Sequence, residues 1–308
     1  MSGSVRRPFD LVLGRSRFVL GAETKIMGIL NITPDSFSDG GKYLSPDRAV
    51  LRALQMQQEG AHLIDIGGES SRPGSLPVST KEEIQRLQPV LKRLARRIQI
   101  PISVDTYKYD VASMALDEGA VLINDIYALR GNKRMARLIA RHKAGVVLMH
   151  MRGRPQTMQK NTRYQNLILE ITTHLKKAVD VALDAGISRS SLMIDPGFGF
   201  GKTIEQNRQI LQRLREFSTM KLPILVGLSR KSFIGSLLGS SAGESTKLGT
   251  LPAQKRLYGS LGAAAAAVYG GAHFLRVHEV LPHKHLAVIM DGMEPRNTGA
   301  PTRETLLS

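Results

Sequence analysis

Apolar, branched residues recur along the chain in eight short runs, at positions 26–31, 62–67, 102–106, 121–125, 146–151, 192–196, 224–229 and 274–278. Between these strand-like runs lie segments with helical periodicity and helix punctuation, the alternation expected of a parallel sheet. Ser45 before Pro46 reads as an N-cap with proline at the first helical position, and Gly60 stands where a left-handed C-cap is wanted. Ser79 with Glu82 predicts a capping box, followed by Ile84, Leu87, Leu91 and Leu94 on one face, with Pro89 expected to kink that helix. Thr203 with Gln206 repeats the box ahead of Ile210, Leu211, Leu214 and Phe217, while Gly119 and Gly186 close two further helices.

Eight strand and helix units of this length predict an α/β fold, a (β/α)8 TIM barrel. Residues 9–20 read as a β-hairpin turning at Gly14 to Ser16 that covers the bottom of the barrel. The expected organisation is a tail and hairpin over 1–25, a catalytic barrel over 26–292 and a polar, disordered tail over 293–308. An open doubly wound sheet is the rival, since alternation alone does not prove closure.

Composition narrows the class. With 308 residues, 42% of them hydrophobic, and no uninterrupted apolar stretch long enough to span a bilayer, a globular protein without a membrane span is expected. The apolar residues behind Arg6 and Arg7 are broken by Asp10, Arg15 and Arg17, so no signal-peptide core is present and a cytoplasmic location is expected. The chain has no cysteine, which excludes disulfides and thiolate metal sites, so a metal would need oxygen or histidine ligands. A formal net charge of +17 admits a nucleic-acid binder. Against it, the arginines are spread over several predicted helices (Arg93, Arg96, Arg97; Arg134, Arg137, Arg141; Arg208, Arg213, Arg215) and aromatics for base stacking are only 5% of the chain. A basic balance suits small polyanionic substrates equally well.

The candidate chemistry sits at the strand ends. Each run turns polar at its C-terminal end: Asn31; Asp65 and Glu69; Asp105; Asn124 and Asp125; His150; Asp195; Ser229, Arg230 and Lys231; Arg276 and His278. In a barrel these ends converge on one mouth, where catalytic residues gather. A single aspartate at a strand end is more often a helix N-cap, and Asp105 alone admits that reading. The stretch 31–41 leaves its strand and turns at once into a polar loop with one phenylalanine, the pattern of a lid that folds over a ligand. Residues 197–203, GFGFGKT, are not a phosphate loop, because the first glycine of that motif would fall on Pro196; glycines there would let a flat ligand lie close to the backbone. His283 and His285 read as surface residues of the last helix.

Taken together, Asn31-ITPDSFSDGG, Gly67-GESSRPG, Val104-Asp105-Thr106, Ile123-Asn124-Asp125, Leu148-MHMRGRPQTMQ, Asp195-PGFGFGK, Gly227-LSRKSFIG and Arg276-Val277-His278 resemble the dihydropteroate synthase family, in order and over about residues 26 to 290. The resemblance implies an enzyme of folate biosynthesis that joins 6-hydroxymethyl-7,8-dihydropterin diphosphate to 4-aminobenzoate and releases diphosphate. It implies catalytic roles for Asp105, Asp39, Lys231 and Arg276. The pterin would meet Asp105, Asn124, Asp195, Lys231 and Arg276, with Asp195 accepting two parallel N–H bonds. The diphosphate would meet Asn31, Ser71, Arg72, Arg276 and His278, with Mg²⁺ bound by Asn31 as its protein ligand. The aminobenzoate would lie among Phe37, Ser71, Pro73, Phe200, Lys231 and Ser232, its carboxylate at the helix start.

The family also suggests a homodimer, no nucleic-acid or membrane partner, and sensitivity to sulfonamides. Two departures stand out. Position 71 is Ser where Thr is common, and residues 239–257 form a longer connection than expected, which leaves the start of the seventh helix open. A pterin-binding methyltransferase barrel is the alternative enzyme, but it has no need of 37–41 or 229–235.

Overall fold

The computed structural model describes residues 6–33, 45–72, 74–241 and 250–293. It opens with an antiparallel hairpin, β1 (Phe9–Leu13) and β2 (Ser16–Leu20), turning at Gly14 with φ of 58°. Then follow β3 (Lys25–Asn31), α1 (Pro46–Gln58), β4 (Leu63–Gly67), α2 (Thr80–Leu94), β5 (Ile102–Asp105), α3 (Tyr109–Asp117), β6 (Leu122–Asp125) and α4 (Met135–Arg141). The second half comprises β7 (Gly145–Met149), α5 (Leu167–Asp184), β8 (Leu192–Asp195), α6 (Ile204–Gln212), β9 (Leu225–Val226), α7 (Ser232–Ser241), α8 (Leu257–Tyr269), β10 (Phe274–Val277) and α9 (Val280–Met293).

Strands β3 to β10 are parallel and lie in the order β8-β7-β6-β5-β4-β3-β10-β9, and a bridge from Ile194 to Ile224 joins the two ends. Spatial order therefore follows chain order around a ring. That is a barrel, and the doubly wound alternative, which needs a reversal of strand order, is excluded. All eight predicted strands are present. The seventh is only two residues long, because the chain leaves the sheet at Gly227 and turns through Arg230 at φ of 60°.

The period of two along each strand divides the core in two. Ile26, Ile64, Val104, Ile123, Val146, Ile194 and Val277 pack outward against the helices. Met27, Leu63, Leu122, Val147, Met193, Leu225 and Phe274 point inward and form a floor with Leu11, Leu13 and Leu20 of the hairpin. The hairpin thus plugs the N-terminal end of the barrel. A Cβ on Gly145 would overlap Leu13, which shows how closely the plug sits. Arg6 fastens the same end, with its guanidinium 2.6 Å from Thr24 and 2.5 Å from Asp291 of α9.

Most of the helix punctuation is as expected. Ser45 caps α1 through the Arg48 N–H, Thr203 and Gln206 form a reciprocal box, and Gly60, Gly119 and Gly186 have positive φ just after helices. Ser79 accepts the Glu82 N–H, but the return half of that box is missing because the Glu82 side chain reaches Arg86 instead, at 2.5 Å. Helix α2 continues through Pro89 to Leu94. His283 corrects the surface reading: it is buried, with Nδ1 2.6 Å from the Glu279 carbonyl, whereas His285 is exposed. The connection after β9 holds an additional helix, α7, and its far end folds back on it, Leu251 N–H donating to the Gly235 carbonyl at 3.0 Å.

The plug yields a direct test. Leu13→Ala, which removes a fully buried side chain from the floor, should cost about 2 to 5 kcal/mol in urea unfolding. Val19→Ala, on the exposed face of the same hairpin, should stay within about 0.5 kcal/mol of the unchanged chain. Equal effects would mean that the hairpin does not seal the barrel.

Candidate active site

On four of the strands, β4, β6, β8 and β10, the inward position two residues beyond the apolar floor turns polar. Leu63 is followed by Asp65, Leu122 by Asn124, Met193 by Asp195 and Phe274 by Arg276, so the parity that builds the floor also stacks these groups above it. Asp65, fully buried, is the hub. Its Oδ1 accepts the Ser103 hydroxyl at 2.6 Å, and its Oδ2 accepts Asn124 Nδ2 at 2.9 Å and Arg276 Nε at 2.6 Å. The second carboxylate on Arg276 is Asp105, 2.7 Å from its terminal nitrogen. Asp105 is thus no helix cap; the first turn of α3 takes no side-chain cap bond. Asp125 is the aspartate with a structural task, accepting the Tyr127 and Leu129 N–H groups at 2.8 Å each.

Asp195 ends β8 and accepts the Gly197 N–H at 2.7 Å. Lys231 reaches over the Phe200 ring, its ammonium 4.2 Å from the centroid, a cation–π contact. Burial raises the Asp105 carboxyl to about 7, with Arg276 opposing the rise and Asp65 adding to it. Burial lowers the Lys231 ammonium to about 8, against the pull of Asp195. The Asp195 carboxyl is also raised by burial, with the Gly197 N–H and Lys231 working the other way.

The diphosphate candidates gather on the neighbouring rim. Asn31 ends β3 beside Gly67, where an added Cβ would lie 3.5 Å from the Asn31 side-chain oxygen. His278 follows β10, with Nδ1 3.0 Å from the Ser229 hydroxyl, and Ser229 also reaches Glu279 at 3.3 Å. Burial, with Arg230 and Arg276 nearby, holds His278 well below its ordinary value, so the ring is neutral. Arg72 is exposed, and Ser71 lies on the same loop at an intermediate depth. Ser232, exposed, is the first residue of α7. Phe37, Asp39 and Pro73 lie outside the described residues, as do 242–249 of the long connection and the tail from 294.

The glycines of 197–201 also have a packing reason. A Cβ at Gly197 would run into the His150 carbonyl, and one at Gly201 would lie 2.8 Å from the Arg152 carbonyl, so two of them serve chain-on-chain packing; only Gly199 faces Lys231. Lys202 is fully enclosed beneath this loop, and burial lowers its ammonium to about 7 against the pull of Asp195. Sequence reasoning gave roles to neither Asp65 nor Lys202. Asp65 was detectable by its parity with Leu63, whereas nothing in a lysine after a glycine run announces burial. A third missed group is Lys108, whose ammonium lies 2.5 Å from Glu69 and 2.6 Å from Glu83 at the base of the loop carrying Ser71 and Arg72.

Comparison with known proteins agrees with this geometry. The family profile described as Pterin binding enzyme matches residues 27–278. A dihydropteroate synthase of Synechocystis is 42% identical over 286 residues, covering 93% of this chain and 96% of the relative. Among solved structures, a Yersinia pestis dihydropteroate synthase with a sulfonamide drug complex superposes with a TM-score of 0.84 at 40% identity, covering 92% of this chain and 98% of that one. A Xanthomonas albilineans dihydropteroate synthase with 4-aminobenzoic acid does so with a TM-score of 0.83 at 37% identity, covering 96% and 100%. A polar mouth built on a closed barrel, together with relatives spanning nearly all of both chains, establishes that this chain belongs to the dihydropteroate synthase family of transferases.

Proposed function

We propose that the chain condenses 6-hydroxymethyl-7,8-dihydropterin diphosphate with 4-aminobenzoate at this mouth, with the pterin on the interior floor and the aminobenzoate towards α7. The observation that carries the reading is the Asp65, Arg276, Asp105 array beside the Asp195 carboxylate. An amino-pyrimidinone edge offers adjacent N–H donors, and Asp195 supplies the acceptor pair for them. Asn124 has one Nδ2 hydrogen committed to Asp65, which leaves its carbonyl oxygen and its second N–H for the ring. Arg276, fixed in its plane by two carboxylates, suits a flat ring face.

In the reaction the bond from the pterin methylene to the diphosphate oxygen breaks, and diphosphate departs with the electron pair. The aminobenzoate nitrogen then forms the new C–N bond and loses a proton. Asp105 stabilises the positive charge that develops on the methylene, while Arg276 and His278 donate towards the departing oxygens. Ser71 and Arg72 act on the diphosphate from their loop. Phe200, Lys231 and Ser232 form the second pocket, and the start of α7 favours a carboxylate. Phe37, Asp39 and Pro73 keep the roles that the family resemblance implies.

The donors fit Mg²⁺. Among the described residues no cluster of three or more His, Cys, Asp or Glu forms a self-contained metal site, whereas Asn31 offers one oxygen at a strand end, enough for an ion carried mainly by phosphate and water. Such an ion would neutralise diphosphate charge. A homodimer is supported by the exposed Tyr258 and Tyr269 on α8 and Leu281, Val288 and Ile289 on α9, an apolar face larger than a lone surface residue would make. No described helix is long and apolar enough to cross a membrane, and the location we propose is the cytoplasm.

The reading is tested by diphosphate release with both substrates and Mg²⁺; release that needs only one substrate, or none at all, would overturn it. Asp195→Asn should weaken pterin diphosphate binding by about 2 to 5 kcal/mol in calorimetry, since an amide cannot accept both ring donors. Unchanged affinity would remove Asp195 from the floor.

A pH profile tests the charge assignments. Asp105 must be ionised, which it is above about 7, and Lys231 must be protonated, which it is below about 8, so kcat/KM for the pterin should be bell-shaped between those limits. Lys231→Met should shift the alkaline limb and Asp105→Asn should abolish the acid limb. Limbs that persist unmoved in both variants would assign them to the substrates.

A further inference from the structure

The loop between β8 and α6 has no ladder to hold it, and Gly197, Gly199 and Gly201 all have positive φ, at 72°, 82° and 66°. Three glycines in five residues leave a chain with much freedom to lose on ordering. Beneath it lies Lys202, only 3% exposed, although lysine is rarely enclosed unless its charge is met. Its ammonium lies 2.8 Å from the Gly197 carbonyl, 3.1 Å from the Phe200 carbonyl and 2.9 Å from His150 Nδ1. Three hydrogens thus meet three acceptors, with the His150 carbonyl at the outer limit of 3.5 Å. Donation to Nδ1 requires the Nε2–H tautomer of a neutral His150, and burial holds that ring well below its ordinary value.

Both ends of the tied loop touch the site. The Gly197 N–H sets the Asp195 carboxylate at 2.7 Å, and Phe200 carries the ring against Lys231. We propose that Lys202 is a positioning residue for the reaction, its buried ammonium tying the Gly197 and Phe200 carbonyls to His150 and so holding the Asp195 carboxylate and the Phe200 ring in register for the two substrates. The proposal rests on the roles assigned above to Asp195 and Phe200. A residue that served the fold alone would change stability and leave the two KM values unmoved.

The test is steady-state kinetics with Lys202→Ala and Lys202→Met. Both KM values should rise by about tenfold or more, with a smaller change in kcat, because binding geometry and not the bond-breaking step is disturbed. Added n-propylammonium, which replaces the missing methylenes and charge, should restore Lys202→Ala, and n-propanol should not. Folded variants with KM values within about twofold of the unchanged chain, or equal rescue by propanol, would overturn the proposal.

Should neither variant fold, the unmodified chain labelled with nitrogen-15 lysine decides. At about pH 6 it should show two slowly exchanging ammonium groups, those of Lys202 and of Lys108, which has Glu69, Glu83 and the Val78 carbonyl as acceptors. Fewer than two would overturn the proposal. An unmodified chain that makes no dihydropteroate sinks the underlying reading and this inference with it, whereas normal turnover with unmoved KM values in the variants sinks only this inference.

Discussion

A guanidinium enclosed in the barrel and held by two carboxylates is the interaction on which the mouth depends. Arg276 cannot give up its proton, so its partial enclosure demands a carboxylate, and Asp65 and Asp105 each supply one. Asp65 transmits that demand further, because the same carboxylate accepts Asn124 and Ser103. Residues of β4, β5, β6 and β10 are thereby fixed relative to one another. In such a shared network each bond is worth more when the others are made, which is the physical basis of a preorganised site.

The interior is close to balanced in charge. Asp65, Asp105 and Asp195 face Arg276, Lys231 and Lys202, three carboxylates against three cations. The +17 excess of the chain lies elsewhere: Arg93, Arg96, Arg97, Arg134, Arg137, Arg141, Arg208, Arg213 and Arg215 are all exposed on helices and their ends. Their scatter around the barrel gives a general positive field suited to drawing in a small polyanion. It does not make the stripe interleaved with aromatics that a nucleic-acid surface needs.

Loops at the mouth are held from below. Lys108 fastens the loop that carries Ser71 and Arg72 through Glu69, Glu83 and the Val78 carbonyl, as Lys202 fastens the glycine loop. In both, a long flexible side chain with three donors gathers acceptors that the backbone geometry leaves without ladder partners. Polar segments too rich in glycine to hold a shape unaided gain one from a buried cation.

The sequence by itself determined the periodic features. Strand runs, helix caps at Ser45 and Thr203, the hairpin and the polar strand ends depend on neighbours a few residues apart, and local sterics and hydrogen bonding decide those. It also held the motifs that mark the family. Tertiary structure alone decided whether the sheet closed, because the bridge from Ile194 to Ile224 joins strands on opposite ends of the hydrogen-bonded order. It decided that Asp105 pairs with Arg276 across 171 positions instead of capping a helix. It decided too that Lys202 and His283 are buried, since enclosure depends on what folds over a residue and not on the residue itself. Spacing along a chain can report a face, but only the packing of distant segments can report what that face meets.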